Sequence, residues 1–487
     1  MTTREKAAID RDLLSIQEAR ELVLRAAEAQ EILATFDQGK VDRIVAAMAK
    51  AGEDSALRLA KMAVDETNIG VIEDKVLKNR FATANLHAYV KNLRTAGIIA
   101  EDRQRRTVEI AAPVGVIMGI VPTTNPTSTV LFKSIISIKA RNAVIFSPHP
   151  RAVGCSYEAA RIMEEAAVAA GAPRGAIGCL SICTREATDA LMHHPKVALI
   201  LATGGAAMVK AAYSAGKPAF GVGPGNVPAF IERTADVPRA VKKILASKTF
   251  DNGTICASEQ AIVTEEIIAD RVLQELQHQG GFLVRDVDLP ALERTVIGRD
   301  GGVNPLVVGQ SPKKIAEMAG IKIPDHTRVL LARLSGVGRD FPLSAEKLCP
   351  VLAFYVEKDW QGACERCYEL LRFGGIGHTL VIHSHNGRVI MEFAMKKPVF
   401  RILVNTPSSQ GAIGLTTGLP PSLTLGCGTW GGNSTSDNVG PLHLINRKRL
   451  AYDLDETRED GQDVGAGDFR FTREEVTEAV EAFLRSG

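Results

Sequence analysis

One cysteine stands in the kind of segment that makes a thiol useful. Residues 249–260 read Thr-Phe-Asp-Asn-Gly-Thr-Ile-Cys-Ala-Ser-Glu-Gln, so Cys256 follows the turn formers Asp251, Asn252 and Gly253. Its small neighbours, Thr254 and Ala257, leave the sulfur open to a small electrophile. Its backbone N–H can face whatever that electrophile becomes. Such a cysteine serves either as a small packing hydrophobe or as a nucleophile, and the segment alone does not choose. A helix-like run over 236–248 precedes it and a strand-like run over 259–263 follows it. Both would hold it rigidly.

The other cysteines and the composition remove several classes. The eight cysteines (Cys155, Cys179, Cys183, Cys256, Cys349, Cys364, Cys367, Cys427) form no framework, and no secretory signal opens the sequence. Free thiols in a reducing, cytoplasmic compartment are expected. Cys364 and Cys367 have redox or metal spacing, but they sit in the helix-like run 359–372 without a second pair. No metal site is expected there. A net charge of +2, with no basic stripe interleaved with aromatics, argues against a nucleic-acid partner. The 487 residues, 45% hydrophobic and 23% charged, suit two or three globular domains. Residues 110–132 carry no charge, yet Pro113, Pro122, Pro126 and the polar Thr123-Thr124-Asn125 break them. That stretch reads as a buried strand, a turn and a helix start, so no membrane span is expected.

Amphipathic helices are expected over the first hundred residues, at 16–33, 41–50 and 54–65. Strands follow at 114–121, 142–147, 176–182, 197–202 and 219–222, with helices between them at 127–139, 152–170, 185–193 and 205–215. Continuous apolar strands alternating with helices imply an α/β fold, a parallel sheet of the doubly wound nucleotide-binding type. A second α/β unit is expected over 236–427, with later strands at 329–332, 351–356, 379–383 and 400–405. The first unit then spans 1–235 and is completed by about 428–442. Residues 454–468, acidic and Gly-rich, read as a linker. Over 469–487 a capping-box pattern at Thr472 to Glu475 opens an apolar stripe ending at Leu484, a short helix in need of a partner.

A doubly wound sheet holds its nucleotide at the carboxyl ends of the strands. Three loops fall there, at 120–126, 146–150 and 202–205. The last opens a helix whose N–H groups suit a phosphate or carboxamide. None of the three matches Gly-x-Gly-x-x-Gly, and 221–225 reads equally as a tight strand-to-strand turn.

Six islands in order, 122–127, 202–205, 222–226, 249–260, 374–379 and 423–434, resemble the aldehyde dehydrogenase superfamily, and within it the bacterial CoA-acylating aldehyde dehydrogenases. The resemblance covers about residues 14–452. It implies an aldehyde dehydrogenase-like fold: a nucleotide-binding domain, a catalytic domain and a small oligomerisation element at 443–453. It makes Cys256 the nucleophile and gives Asn125 to an oxyanion hole shared with the Cys256 N–H. Glu346, in Glu-Lys-Leu-Cys-Pro-Val, matches the glutamate that holds the nicotinamide ribose. Pro122, Thr123, Ser147, His149, Thr203, Gly204, Gly205 and Gly223 fall around the cofactor. NAD is expected rather than NADP, since Ser147 and His149 offer no clear cation for a ribose phosphate. Hydrolytic members carry a water-activating glutamate on a Glu-Leu-Gly-Gly turn, whereas residues 221–231 here hold no acid. Coenzyme A, a far better nucleophile than water at neutral pH, is the implied acceptor. Glu259 is expected to face the packed strand start, and a helix N-terminus is a candidate for activating the thiol.

Short aldehydes, propionaldehyde or acetaldehyde, lead as substrates by the same resemblance. The tail resembles the encapsulation peptides of bacterial microcompartment enzymes, so the stripe from Thr472 to Leu484 is expected to dock on a shell or cargo protein. Relatives assemble by sheet extension, which implies a homodimer or homotetramer built with residues 105–111 and 443–450. Three alternatives stay open: a hydrolytic enzyme, a CoA-dependent semialdehyde or sulfoacetaldehyde dehydrogenase, and a catalytically silent assembly scaffold.

Overall fold

Six consecutive buried apolar residues form the strand Val116–Val121, the centre of a five-stranded parallel sheet. Its spatial order is Ile177–Cys179, Ala143–Pro148, Val116–Val121, Val197–Ala202, Ala219–Gly221. Alternate residues enter different cores. Ile117, Val144 and Phe146 pack on one face with Phe132 and Ile135; Met118, Ile145 and Ile200 pack on the other with Val23. This is why the strands read as unbroken apolar runs. In chain order the strands run 3-2-1-4-5, so a crevice opens between the carboxyl ends of Val116–Val121 and Val197–Ala202. The helix Pro126–Lys139 starts at this crevice, with Pro126 in its first turn, where a missing N–H does no harm. This computed structural model describes residues 10–298 and 301–454. The linker expected at 454–468, apart from Leu454, and the helix expected at 469–487 with Thr472 and Leu484 lie outside the described residues.

The second sheet has seven parallel strands: Gly281–Leu283, Val329–Arg333, Val351–Glu357, Glu259–Glu265, Val227–Ile231, Gly377–His383 and Val399–Val404. It too is covered on both faces. Ile262 and Phe354 lie in one core, while Val263 and Tyr355 lie in the other. Residues 227–231, assigned to the first unit and not expected to be a strand, form one near the middle of this sheet, ahead of residue 236. Pro228 hid it, because proline is rare in central strands; a register shift between Val227 and Pro228 accommodates it. Residues 221–227 therefore cross from one sheet to the other rather than turning within one.

A small antiparallel sheet joins Gly97–Asp102, Thr107–Pro113 and Ile445–Ala451, with Ile445 opposite Pro113 and Ala451 opposite Thr107. The end of the first hundred residues is thus strand, not helix, beginning at Gly97 with φ +68°. The uncharged stretch 110–132 divides into strand, turn and helix, and no described helix is long and apolar enough to cross a membrane. Cys364 and Cys367 are buried on the helix Trp360–Gly374, in the apolar core that holds Phe230 and Phe393.

Candidate active site

Three neighbouring strands of the larger sheet begin at the same edge, and their first residues converge. Gly225 precedes Val227–Ile231, Cys256 precedes Glu259–Glu265, and His378 opens Gly377–His383. Cys256 Sγ lies 3.2 Å from His378 Nε2, and the other ring nitrogen, Nδ1, lies 3.0 Å from Thr379 Oγ1. Arg401 anchors this strand by donating from Nη1 to His378 O at 3.1 Å and from Nε to Asn438 Oδ1 at 2.7 Å. Burial and the Arg401 charge pull His378 down to about 3, so the imidazole is neutral. Burial first, then Glu346 and Cys427, push the Cys256 thiol up to about 12. The resting pair is a thiol beside a neutral imidazole. No thiolate is stored at rest, and the 3.2 Å approach of Nε2 to the sulfur is the geometry that a general base needs.

No helix begins at Cys256, contrary to the candidate raised from the sequence. The residue follows the short 3-10 turn Phe250–Gly253 and leads into a strand. Histidine 378 carried no spacing signal, being 122 residues from the cysteine. Its one mark is a polar ring opening the apolar run after Gly-Gly-Ile-Gly, in an island already singled out for its resemblance.

Asn125 brings the other sheet to this sulfur. It precedes the helix Pro126–Lys139, but its side chain makes no capping bond. Instead Nδ2 donates to Thr254 O at 3.3 Å and to Thr124 Oγ1 at 3.0 Å, while Oδ1 accepts from Lys78 Nζ at 2.6 Å. The amide is therefore spent on the cysteine loop. The loop enters with two consecutive left-handed residues, Asp251 (φ +49°) and Asn252 (φ +53°), residue types that tolerate this geometry. On the sulfur itself, the Cys256 backbone N–H favours negative charge.

Gly225 shows how tightly the crossover lies against the loop. A Cβ there would stand 1.9 Å from Cys256 O, so only glycine fits. Its N–H donates to Glu346 Oε1 at 3.1 Å. Glu346 is half-buried, neither a helix cap nor a solvated carboxylate, and burial pushes it up to about 7. Glu259 turns away into the protein interior, where Oε1 accepts from Ser408 N at 3.0 Å.

The remaining residues lie at the carboxyl ends of the smaller sheet. Pro122 and Thr123 are half-buried at the crevice, and Thr203 reaches it from the opposite strand, its N–H donating to Ile120 O at 3.4 Å. The Thr203 hydroxyl is buried without a protein partner, and Gly204 and Gly205 lead from it into the helix Ala206–Ser214. An orphaned hydroxyl beside a helix amino end fits the polar groups of a nicotinamide dinucleotide. Ser147 is buried and engaged by Thr188 Oγ1 at 2.9 Å; exposed His149 accepts from Arg151 N at 3.2 Å. Gly223 stands apart on the crossover, where a Cβ would come within 3.7 Å of Cys427 Sγ.

A doubly wound sheet facing a cysteine on a second parallel sheet places the chain in the aldehyde dehydrogenase family, to which it belongs: the family profile matches residues 6–290. It is similar to the bifunctional aldehyde-alcohol dehydrogenase AdhE of Escherichia coli, 49% identical over 442 residues that cover 90% of this chain and 50% of that one. The chain thus spans about half the length of that relative. An acetylating aldehyde dehydrogenase from Geobacillus thermoglucosidasius superposes with a TM-score of 0.91 at 49% identity, covering 93% of this chain and 100% of that chain. A propionaldehyde dehydrogenase from the fucose utilisation bacterial microcompartment of Clostridium phytofermentans superposes at 0.81 and 28% identity, covering 89% and 97%.

Proposed function

We propose that this chain oxidises a short aliphatic aldehyde, propionaldehyde or acetaldehyde, to its coenzyme A thioester through Cys256. One observation carries the reading: the sulfur sits 3.2 Å from a buried neutral imidazole, on a loop pressed against Gly225 of a crossover that has no acid.

In this reading His378 Nε2 takes the Cys256 proton as sulfur bonds to the aldehyde carbon. The carbonyl oxygen becomes an oxyanion held by the Cys256 N–H and by Asn125 Nδ2, which gives up its 3.3 Å bond to Thr254 O to reach it. Bound NAD supplies the hydride acceptor, Glu346 would hold its ribose, and Pro122, Thr123, Thr203, Gly204 and Gly205 would line its site. Cys256 is left as an acyl thioester. The coenzyme A thiol then attacks that carbonyl and releases its proton to solvent, the same donors hold the oxyanion, and departing Cys256 recovers its proton from His378. The acyl transfer exchanges one thioester for another, so that step runs readily in either direction and the path is reversible.

Water is the poorer acceptor here. His378 is 0% exposed with Nε2 on the sulfur, and residues 221–231 supply no other base. NAD is favoured because Ser147 is held by Thr188 and His149 by the Arg151 amide, neither offering a cation; a preference for NADP would instead implicate the exposed Arg151. Assembly into a dimer or tetramer through the antiparallel sheet is supported by Ile445–Ala451 lying at its edge. Residence in a bacterial microcompartment is supported by the apolar stripe from Thr472 to Leu484 and by the microcompartment source of one structural relative.

The test is absorbance at the reduced-nicotinamide band over a panel of aldehydes, with coenzyme A present or omitted. Sustained turnover with coenzyme A and only a stoichiometric burst without it are expected. Equal turnover to free acid without coenzyme A would overturn the reading. Deleting residues 461–487 should preserve this activity and abolish co-purification with shells.

A further inference from the structure

A buried ionic cluster lies behind the amide of Asn125, built from a helix in neither sheet. Lys75 and Lys78, both on Ile72–Arg80, point their ammonium groups at Asp251 Oδ2, at 3.0 Å and 2.5 Å. All three side chains are at most 3% exposed. Lys78 also donates to Thr254 Oγ1 at 2.9 Å and to Asn125 Oδ1 at 2.6 Å, while Lys75 donates to Thr124 O at 2.9 Å. Asp251 is held from every side: its Oδ1 accepts from Val71 N at 2.7 Å, and its own N–H donates to Asp74 Oδ2 at 2.7 Å. Lysine 78 thus touches the nucleophile's loop and the amide that faces it.

We propose that Lys78 is a positioning residue for oxyanion stabilisation, fixing which end of the Asn125 amide faces the cysteine loop and polarising it for donation. The inference rests on the reading of Cys256 and Asn125 given above. An amide has two ends of nearly equal size, one donor and one acceptor, and the wrong end would set a carbonyl oxygen against developing negative charge. An ammonium has three donors and no acceptor, so only Oδ1 can face it. The flip is thereby decided by chemistry, and Nδ2 is left pointing at the loop of Cys256. A cation on Oδ1 also draws electron density through the amide, which makes its N–H a stronger donor in a low-dielectric site.

The cation is present at neutral pH. Burial draws Lys78 down to about 8 against the pull of Asp251. Burial pushes Asp251 up, but Lys78 and Lys75 outweigh it and hold the carboxyl below its ordinary range. Removing Lys78 alone leaves Asp251 still paired with Lys75 at 3.0 Å, so Lys78→Met does not leave the Asp251 carboxylate without a cation.

The experiment measures nicotinamide reduction in a single turnover, with aldehyde and NAD but no coenzyme A, for Lys78→Met, Asn125→Ala and the double variant. Lys78→Met is expected to slow the acylation step by roughly 10–100-fold, short of the roughly 10²–10³-fold for loss of the oxyanion donor. The KM for NAD should stay near native, while the melting temperature falls because buried acceptors lose a partner. In the Asn125→Ala background the same change should cost less than about threefold, because residues that act through one another are not additive. Lys78→Gln keeps a hydrogen-bond donor for Asp251 and guards against a folding defect; it should show the same non-additivity with a loss of roughly tenfold. Near-native acylation in Lys78→Met or Lys78→Gln, or an undiminished loss in the Asn125→Ala background, would overturn the proposal alone. Full turnover by Cys256→Ser or Asn125→Ala would overturn the underlying reading with it.

Discussion

The two parallel sheets of this chain use opposite ends of their strands. In the five-stranded sheet the expected cofactor residues lie past the carboxyl ends, where helix amino termini and free N–H groups collect. In the seven-stranded sheet Gly225, Cys256, Glu346 and His378 lie before or at the strand starts, and the chain enters the sheet through them. The first arrangement is open, with half-buried loops and an unpartnered hydroxyl. The second is closed, with His378 wholly buried and Gly225 in direct contact with the Cys256 carbonyl. A site that only holds a ligand tolerates slack, whereas bond making demands placement to a fraction of an ångström.

Substitutions can break or sharpen that contrast. On the chemical side, Cys256→Ser should lower turnover by at least about 10³-fold, since an alcohol at neutral pH is a far weaker nucleophile than sulfur; the melting temperature and NAD binding should be unchanged. Near-native turnover would remove the covalent step. His378→Ala should slow acylation by roughly 10²–10⁴-fold, read as the size and rate of the nicotinamide burst.

The pH behaviour of the native protein tests the same pair. With the thiol at about 12 and the imidazole at about 3, the thiolate fraction rises with pH throughout the neutral range. Alkylation of Cys256 by iodoacetamide should therefore climb about tenfold per pH unit from 7 to 9. A plateau near neutrality would reveal a stored thiolate–imidazolium pair.

Gly225→Ala should follow, with a loss of roughly 10²-fold, because its new methyl must displace the Cys256 carbonyl by more than an ångström. The smallest effect belongs to the binding side. Thr203→Val should raise the KM for NAD by roughly tenfold, about the worth of a lost hydrogen bond, and leave kcat alone. A large fall in kcat for Thr203→Val would erase the division of labour between the sheets.

How much of this was legible depended on which interactions are local. The strands Val116–Val121 and Val197–Ala202 announced themselves because both faces of the sheet are covered. Cys256 and Asn125 stood in loops whose residue types and order resemble a family. Val227–Ile231 was hidden by Pro228, and Gly97–Asp102 by its charges. His378 and Lys78 were invisible for a different reason. A histidine opening a strand and a lysine on an amphipathic helix look ordinary until the fold brings them 3.2 Å from Cys256 and 2.6 Å from Asn125.

The absence of space at Gly225 bears on redesign. Converting this scaffold into one that releases carboxylic acids is often imagined as planting a single glutamate near the reacting centre. At Gly225 the Cys256 carbonyl already fills the space of a Cβ, so no side chain can be planted at that position without re-routing the peptide segment.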